Sequence, residues 1–300
     1  MTFDLIIALT TLAVGVVLVL PRVAHFTLWR AVVTPLASII GSGFLLLGPV
    51  LSHAFGGFAP WVMGGLCVVA YMFGGVIRSN IATGEDAIIT GQHGTLAKRI
   101  ETISSWALAF AYIISVSYYL NLLGAFALSM TPFDSRFDAK LLTTGVFILI
   151  VLIGCTSGFK SLERMEYFSV AIKLAIIAGL VIGLIVNFGD QAIHETLIFN
   201  PETVTGWPAI TMALGLLITV QGFETSRYLG AVYDAQTRIR SMRMAQWLST
   251  LIYVVYIVLI AYVFRPDQMS MTETGIINMM QIVAPILPFL LVAAALASQL

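Results

Sequence analysis

Two glycines around a serine interrupt an apolar segment that is otherwise suited to span a membrane. The segment Ala31–Val50 carries Gly41-Ser42-Gly43 at its centre, with a proline on each side. Glycine and serine are weak helix formers, and an opened turn there frees backbone N–H and C=O groups. In lipid each free group costs several kcal/mol unless a neighbour or a bound solute satisfies it.

The two sides of such an opening have opposite polarity. The N–H groups of Ser42, Gly43 and Phe44 begin a new half-helix, and its partial positive charge fits a carboxylate. The carbonyls of Ser38 and Ile39 end the preceding half-helix and suit an ammonium group. One opening can therefore hold both ends of a zwitterion. The alternative is that the small residues serve close helix packing.

A carboxylate lies inside a later apolar segment, beside a second weak point. Glu224 follows Gln221-Gly222 in the segment Trp207–Tyr228. A carboxylate within a membrane is expensive and indicates a functional site by default. Two structural roles compete with that interpretation, because Glu224 could pair with Arg227 or cap the opened backbone.

Lys173 is the basic residue placed deepest within an apolar segment, Tyr167–Phe188. Desolvation disfavours the charged form of an amine, so a lysine at this depth gives up its proton more readily than an exposed one. Lys173 is thus a candidate proton carrier, or a fixed positive charge where a cation would otherwise bind. The alternatives are a snorkelling side chain or a pair with Glu224 or Glu166.

The composition shows what kind of scaffold must position these residues. Of 300 residues, 59% are hydrophobic and 10% are charged, and the mean hydropathy is +0.97. Soluble domains carry about 25% charged residues. We therefore expect an all-α integral membrane protein with a single transmembrane domain over residues 1–300.

The same survey gives no support for several other functions. The formal net charge is zero, so nothing suggests a nucleic-acid partner. No metal-ligand spacing, nucleophile–base pair or phosphate-binding loop is apparent, and we expect no enzyme activity, no metal and no cofactor. Aromatic rings at helical spacing, Tyr112, Tyr118 and Tyr119, favour packing over a cavity.

Apolar segments recur along the whole chain, separated by polar loops. They lie at Leu5–Leu20, Ala31–Val50, Phe58–Ile77, Ile103–Met130, Leu141–Ser157, Tyr167–Phe188, Trp207–Tyr228, Ala245–Phe264 and Ile282–Leu300. Lysine and arginine concentrate in alternate loops, 21–30, 78–102, 158–164 and 227–244, while the opposite loops hold Arg136, Lys140 and Arg265. The positive-inside rule makes the richer loops cytoplasmic and predicts a multi-pass protein of the cell membrane.

The order of these features resembles the amino acid–polyamine–organocation (APC) superfamily, whose members share the LeuT-type fold. The first core helix of that family carries an unwinding motif like Gly41-Ser42-Gly43-Phe44-Leu45. The sixth carries a motif like Gly222-Phe223-Glu224, followed by a basic loop. Proton-coupled members hold a lysine on the fifth core helix where Lys173 stands.

The resemblance implies a bundle of two inverted five-helix repeats with discontinuous first and sixth core helices. Residues 28–188 would form the first repeat, residues 207–300 an incomplete second repeat that ends after the eighth core helix, and residues 5–20 an extra N-terminal helix. The backbone N–H groups of Ser42 and Gly43 would bind the carboxylate of the substrate, and the carbonyl of Ile39 would meet its amino group. Gly41 is a further expected binding residue at the same opening. On the second broken helix the expected site residues are Ile218, Gln221, Gly222 and Glu224, of which Ile218 and Gln221 border the substrate side chain.

The function that this resemblance implies is secondary active transport of a small amino acid or related amine by alternating access. Lys173 would couple it to protons, or the carrier would exchange solutes. The partners are then a small-molecule substrate, protons and the lipid bilayer. Two alternatives stay open. One is a non-transporting binding or scaffold protein, since the last two core helices are missing, and the other is a sodium-coupled carrier of another small solute.

Overall fold

The structure, a computed structural model, describes residues 2–41, 43–84, 94–128, 131–132, 135–157, 159–269 and 275–299. These residues form helices and turns, with no strand among them. The α-helices are α1 Thr2–Val19, α2 Pro21–Ala24, α3 Thr27–Ile39, α4 Gly43–Phe55, α5 Ala59–Ser79, α6 Thr95–Leu128, α7 Arg136–Ser157, α8 Phe159–Ile193, α9 Gly206–Leu216, α10 Ala235–Ala261, α11 Gly275–Val283 and α12 Leu287–Gln299. Short 3-10 turns follow α4, α9 and α10.

Several helical stretches are long and apolar enough to cross a membrane. Within the described residues there are five, at Gly43–Thr83, Thr95–Leu128, Met165–Ile193, Gly206–Ala231 and Ala235–Ala261, and shorter apolar helices lie at Phe3–Val19 and Leu287–Ser298. The chain is thus an all-helical, multi-pass membrane protein. The segment predicted as one span at Ala31–Val50 is divided between α3 and α4, because the helix opens between them.

Helix α10 lies at the centre of the bundle, in contact with α3, α4 and α5. Two of its tyrosines, Tyr253 and Tyr256, are among the largest fully buried side chains in the described structure. Both rings pack on Phe44 of α4, with centroids 5.2 Å and 4.4 Å away. The start of α4 is therefore fixed by aromatic contacts to α10.

The N-terminal helix α1 packs along α8 and is held near both of its ends. The hydroxyl of Tyr167, on α8, donates to the carbonyl of Leu18 across 2.6 Å. The Asp4 carboxylate accepts the N–H of Ile286, which immediately precedes α12, across 3.3 Å. Both bonds satisfy backbone groups at helix ends that lack partners within their own helix.

The segment between α8 and α9 folds over the end of α4. The N–H groups of Thr203 and Val204 donate to the Ala54 carbonyl across 3.0 Å and 3.1 Å. The buried Asn200 amide donates to the carbonyl of Phe264, just beyond α10, across 2.8 Å. The N–H of Gly57 donates back to the Asn200 carbonyl across 3.0 Å. This segment thus fastens the far end of α4 to α10.

Candidate functional site

The first predicted opening is present between α3 and α4. Helix α3 ends at Ile39, Ile40 adopts φ −87° and ψ 71°, and α4 begins at Gly43. Ser42, a predicted carboxylate ligand, lies outside the described residues. The carbonyls of the last turn of α3 lose the N–H partners that a continuous helix would provide. Other donors must replace those partners where the carbonyls are buried.

Lys173 of α8 supplies the first replacement. Its ammonium donates to the carbonyls of Ile40 and Ala37 across 2.5 Å and 3.1 Å. The residue is 4% exposed, so it does not snorkel to the surface. The C-terminal end of a helix carries partial negative charge, and an ammonium placed there is favourable. Lys173 therefore holds the end of the first half-helix by charge-assisted hydrogen bonds.

Tyr253 of α10 supplies the second replacement. Its buried hydroxyl lies 2.9 Å from the carbonyl oxygen of Ile39 and 2.8 Å from that of Thr219. Ile39 is the last residue of α3, and Thr219 precedes the second opening. One side chain therefore contacts both openings.

The second predicted opening follows α9. A 3-10 turn over Leu217–Val220 leads into Gln221, whose backbone is extended, and then into Gly222 at φ 114°. Residues that carry a side chain rarely adopt that backbone φ, so the position favours glycine. A Cβ built on Gly222 would lie 2.6 Å from the carbonyl carbon of Ser38. The two openings are therefore in direct contact.

Glu224 stabilises the second opening from within. One carboxylate oxygen accepts the N–H of Gly222 across 2.8 Å, and the other accepts the hydroxyl of Tyr112 on α6 across 3.2 Å. Arg227 forms an ion pair with Glu101 of α6. The alternative in which Glu224 pairs with Arg227 is thus replaced by the capping role.

The remaining predicted residues differ in their surroundings. A Cβ on Gly41 would lie 3.4 Å from the hydroxyl of Tyr119, while one on Gly43 would meet nothing within 4 Å. Gln221 is exposed, and Ile218 is 69% exposed. The structure thus brings Ile39, Gly41, Gly222 and Lys173 together, whereas the side chains of Ile218 and Gln221 are exposed.

A small cavity of about 10 Å³ lies beside the lysine, lined by Gly41, Lys173, Ser298 and apolar side chains of α4, α8 and α12. That volume matches a single water molecule. The buried hydroxyl oxygen of Ser298 has no hydrogen-bond partner among the described residues. The described residues also contain no group of three or more histidine, cysteine, aspartate or glutamate side chains able to hold a metal ion.

Sequence reasoning missed the tyrosines that complete this arrangement. Tyr253 lies within a predicted apolar span and was not distinguished from a packing residue, and Tyr112 was assigned to packing. The available signal was the tyrosine hydroxyl itself, because a buried tyrosine hydroxyl usually has a hydrogen-bond partner.

Comparison with known proteins decides the family. The family described as "APC superfamily transporter" matches residues 21–300. The chain belongs to the APC superfamily. An uncharacterized protein of Aquifex aeolicus (strain VF5) is 37% identical over 289 residues, which cover 93% of this chain and 69% of that protein. No solved structure matches the chain.

Membership of the APC superfamily makes this chain a transporter-family protein, and both openings lie within the matched region. The match begins at residue 21, so α1 precedes it. Because α1 contacts α8, the helix that carries Lys173, it is nonetheless part of the packed bundle.

Proposed function

We propose that this chain is a secondary active transporter that moves a small amino acid or related amine by alternating access around its two openings. The openings touch at Gly222 and Ser38, beside Gly41 and the buried ammonium of Lys173. Unwound backbone from two helices at one point is the arrangement that transporter folds use for solute binding.

The ligand chemistry follows from the backbone polarity at the first opening. Helix α4 begins at Gly43, and the N–H groups at the start of a helix favour a carboxylate. The carbonyl of Ile39 ends the first half-helix and is the proposed acceptor of a substrate ammonium, and the Tyr253 hydroxyl that contacts it has a second acceptor at Thr219. A zwitterion satisfies both ends of the opening, which supports an amino acid over a simple anion.

Lys173 is the proposed coupling group. While protonated, it donates to the carbonyls of Ala37 and Ile40 and fastens α3 to α8. When it loses its proton, charge-assisted bonds become neutral and weaken. Protonation thereby favours one relative position of α3 and α8, which links a proton gradient to movement of the opening. An exchange mechanism uses the same site with a second solute.

The geometry around Lys173 bears on the sodium-coupled alternative. The two carbonyl oxygens that could coordinate a cation already accept hydrogen bonds from a fixed ammonium. Like charges at such short range repel strongly in a medium of low dielectric constant. We therefore propose a proton-coupled or exchange carrier. The positive-inside rule further supports the proposal that it lies in the cell membrane with its lysine- and arginine-rich loops on the cytoplasmic side.

The test is uptake of radiolabelled amino acids and amines into proteoliposomes under imposed pH or sodium gradients. We expect accumulation that follows the pH gradient, and a Lys173→Ala variant that exchanges solute but no longer responds to that gradient. Lys140→Ala is the matched control, because Lys140 is an exposed lysine at the start of α7.

Three results would contradict the proposal in separate ways. Uptake that needs sodium and ignores pH would indicate the sodium-coupled carrier. Ligand binding without any uptake or exchange would indicate the non-transporting binding protein. Retention of pH-driven uptake in Lys173→Ala would remove the coupling role of that lysine alone.

A further inference from the structure

The hydroxyl of Tyr253 has two acceptors and one hydrogen. Its oxygen lies 2.9 Å from the Ile39 carbonyl and 2.8 Å from the Thr219 carbonyl, both at hydrogen-bonding distance. A phenol donates one hydrogen bond. At any moment, therefore, one of the two carbonyls receives the Tyr253 hydrogen and the other does not.

Each of these carbonyls is orphaned by its own opening. In a continuous helix the Ile39 carbonyl would accept the N–H of Gly43, and the Thr219 carbonyl would accept that of Phe223. The backbone departs from helical geometry between the members of each pair. Buried carbonyls without a donor are costly, so the position of the Tyr253 hydrogen affects the stability of both openings.

We propose that Tyr253 is a positioning residue that reports occupancy of the first opening to the second. The proposal rests on the proposed function, in which a substrate ammonium binds the Ile39 carbonyl. An ammonium at that oxygen repels the hydroxyl hydrogen, which then donates to Thr219 alone. Substrate binding thereby supplies a donor to the second opening, and departure of the substrate removes it.

The substrate class follows from this arrangement. A ligand must carry an amino or ammonium group to move the Tyr253 hydrogen, so a carboxylic acid that lacks the amine can bind the backbone N–H groups without that effect. Recognition of the amine is thus separate from recognition of the carboxylate. Tyr256 provides a matched contrast one turn along α10, because its buried hydroxyl has one acceptor among the described residues, the Leu45 carbonyl at 2.7 Å.

The experiment compares wild type, Tyr253→Phe and Tyr256→Phe in proteoliposomes. The probes are L-alanine, L-leucine, L-lysine and L-glutamate with their des-amino acids, and both binding and counterflow exchange are measured. In Tyr253→Phe we expect amino acid binding within about threefold of wild type, because no competing donor is left at Ile39, and exchange slower by roughly tenfold, the factor of one lost hydrogen bond. Tyr256→Phe is expected to keep the wild-type ratio of exchange to binding.

A second measurement does not depend on the folding of the phenylalanine variant. With 3-fluorotyrosine at position 253, the fluorine resonance should shift on addition of the amino acid and stay in place with its des-amino acid. Any of three results would overturn the inference. They are an exchange rate in Tyr253→Phe equal to that of the wild type, a loss of binding and of exchange by the same factor, or a fluorine resonance that responds equally to the amino acid and its des-amino acid. If the wild type binds and exchanges none of the probes, the proposed function fails, and the Tyr253 inference with it.

Discussion

Gly222 of the second opening lies directly against Ser38 of the first, with space for a hydrogen atom but not for a side chain. A Cβ on Gly222 would approach the Ser38 carbonyl carbon to 2.6 Å and the Ile39 backbone nitrogen to 2.7 Å. Backbone atoms cannot move aside as a flexible side chain can. The contact therefore requires glycine for two independent reasons, the close approach and the φ of 114°.

Substitution of Gly222 by alanine should accordingly separate the two openings. We expect a loss of about 1–3 kcal/mol from the strained φ alone, with the clash against Ser38 added to it. Ligand binding should be lost as well, since both openings must shift. Thermal unfolding in detergent and amino acid binding by the folded fraction measure the two effects.

Gly215→Ala is the control for that variant. A Cβ on Gly215 meets nothing within 4 Å, and the residue lies in helix α9. Alanine is favoured over glycine in a helix by about 1 kcal/mol, so stability should hold or rise. Equal losses for Gly215→Ala and Gly222→Ala would contradict the importance of the Gly222–Ser38 contact.

Tyr256 should stabilise α4 through a carbonyl that Pro49 leaves open. Proline has no N–H, so the Leu45 carbonyl four residues earlier lacks its helical donor. The Tyr256 hydroxyl donates to that oxygen across 2.7 Å. Tyr256→Phe should therefore lower the free energy of unfolding by about 1–3 kcal/mol, as expected when a buried acceptor loses its partner.

A double-mutant cycle with Pro49→Ala tests the cause of that loss. Alanine restores an N–H to which the Leu45 carbonyl can bond, so Tyr256→Phe should cost less in the Pro49→Ala background than in the wild type. Strict additivity of the two substitutions, measured by chemical unfolding, would show that the hydroxyl acts elsewhere.

The positions of the openings could be predicted because their cause is local. Glycine weakens a helix wherever it occurs, so the openings at Gly41 and Gly222 could be predicted without knowledge of the packing. The depth of Lys173 was likewise apparent from the apolar residues around it. These features depend on a few neighbouring residues, and the described structure contains both openings at the predicted points.

The partners of the opened backbone could not be predicted in the same way. Lys173 is separated from Ile40 by 133 positions, and Tyr253 from Ile39 by 214, so the pairs form only through tertiary packing. The role of Glu224 was left between an ion pair and a cap for the same reason. The choice between these roles depends on two contacts with a distant helix. Glu101 pairs with Arg227, and the Tyr112 hydroxyl donates to Glu224. Substrate and coupling remain predictions.

Asp234 should contribute to stability in a pH-dependent way. It caps α10 by accepting the Thr237 N–H across 2.9 Å, and hydrogen bonds from the Thr237 side chain and backbone hold the pKa of its carboxyl below the ordinary 3.8. A lowered folded-state pKa means that the contribution is complete above the unfolded-state value and is lost as the pH falls through the folded-state value.

The measurement is the apparent melting temperature of wild type and Asp234→Asn as the pH is lowered. Asparagine keeps a capping oxygen but does not titrate. The advantage of the wild type should therefore be constant near neutral pH and should shrink below about pH 4. An advantage that persists or grows at acidic pH would contradict the capping interaction as its source.

Gly179 should control the docking of α1 on α8. A Cβ there would contact the Thr11 side chain and would lie 3.2 Å from the Ile7 carbonyl oxygen. Gly179→Leu should thus push α1 away and also strain the bond between Asp4 and Ile286 at the start of α12. Gly189→Leu is the control on the same helix, because nothing lies within 4 Å of its Cβ position. We expect protease cleavage in the 20–27 region to accelerate in Gly179→Leu alone.

Helix α1 packs against α8, the helix that carries Lys173, so we expect the pH dependence of uptake to change in Gly179→Leu as well. Normal coupling in a variant with a released α1 would show that α8 holds its position without α1.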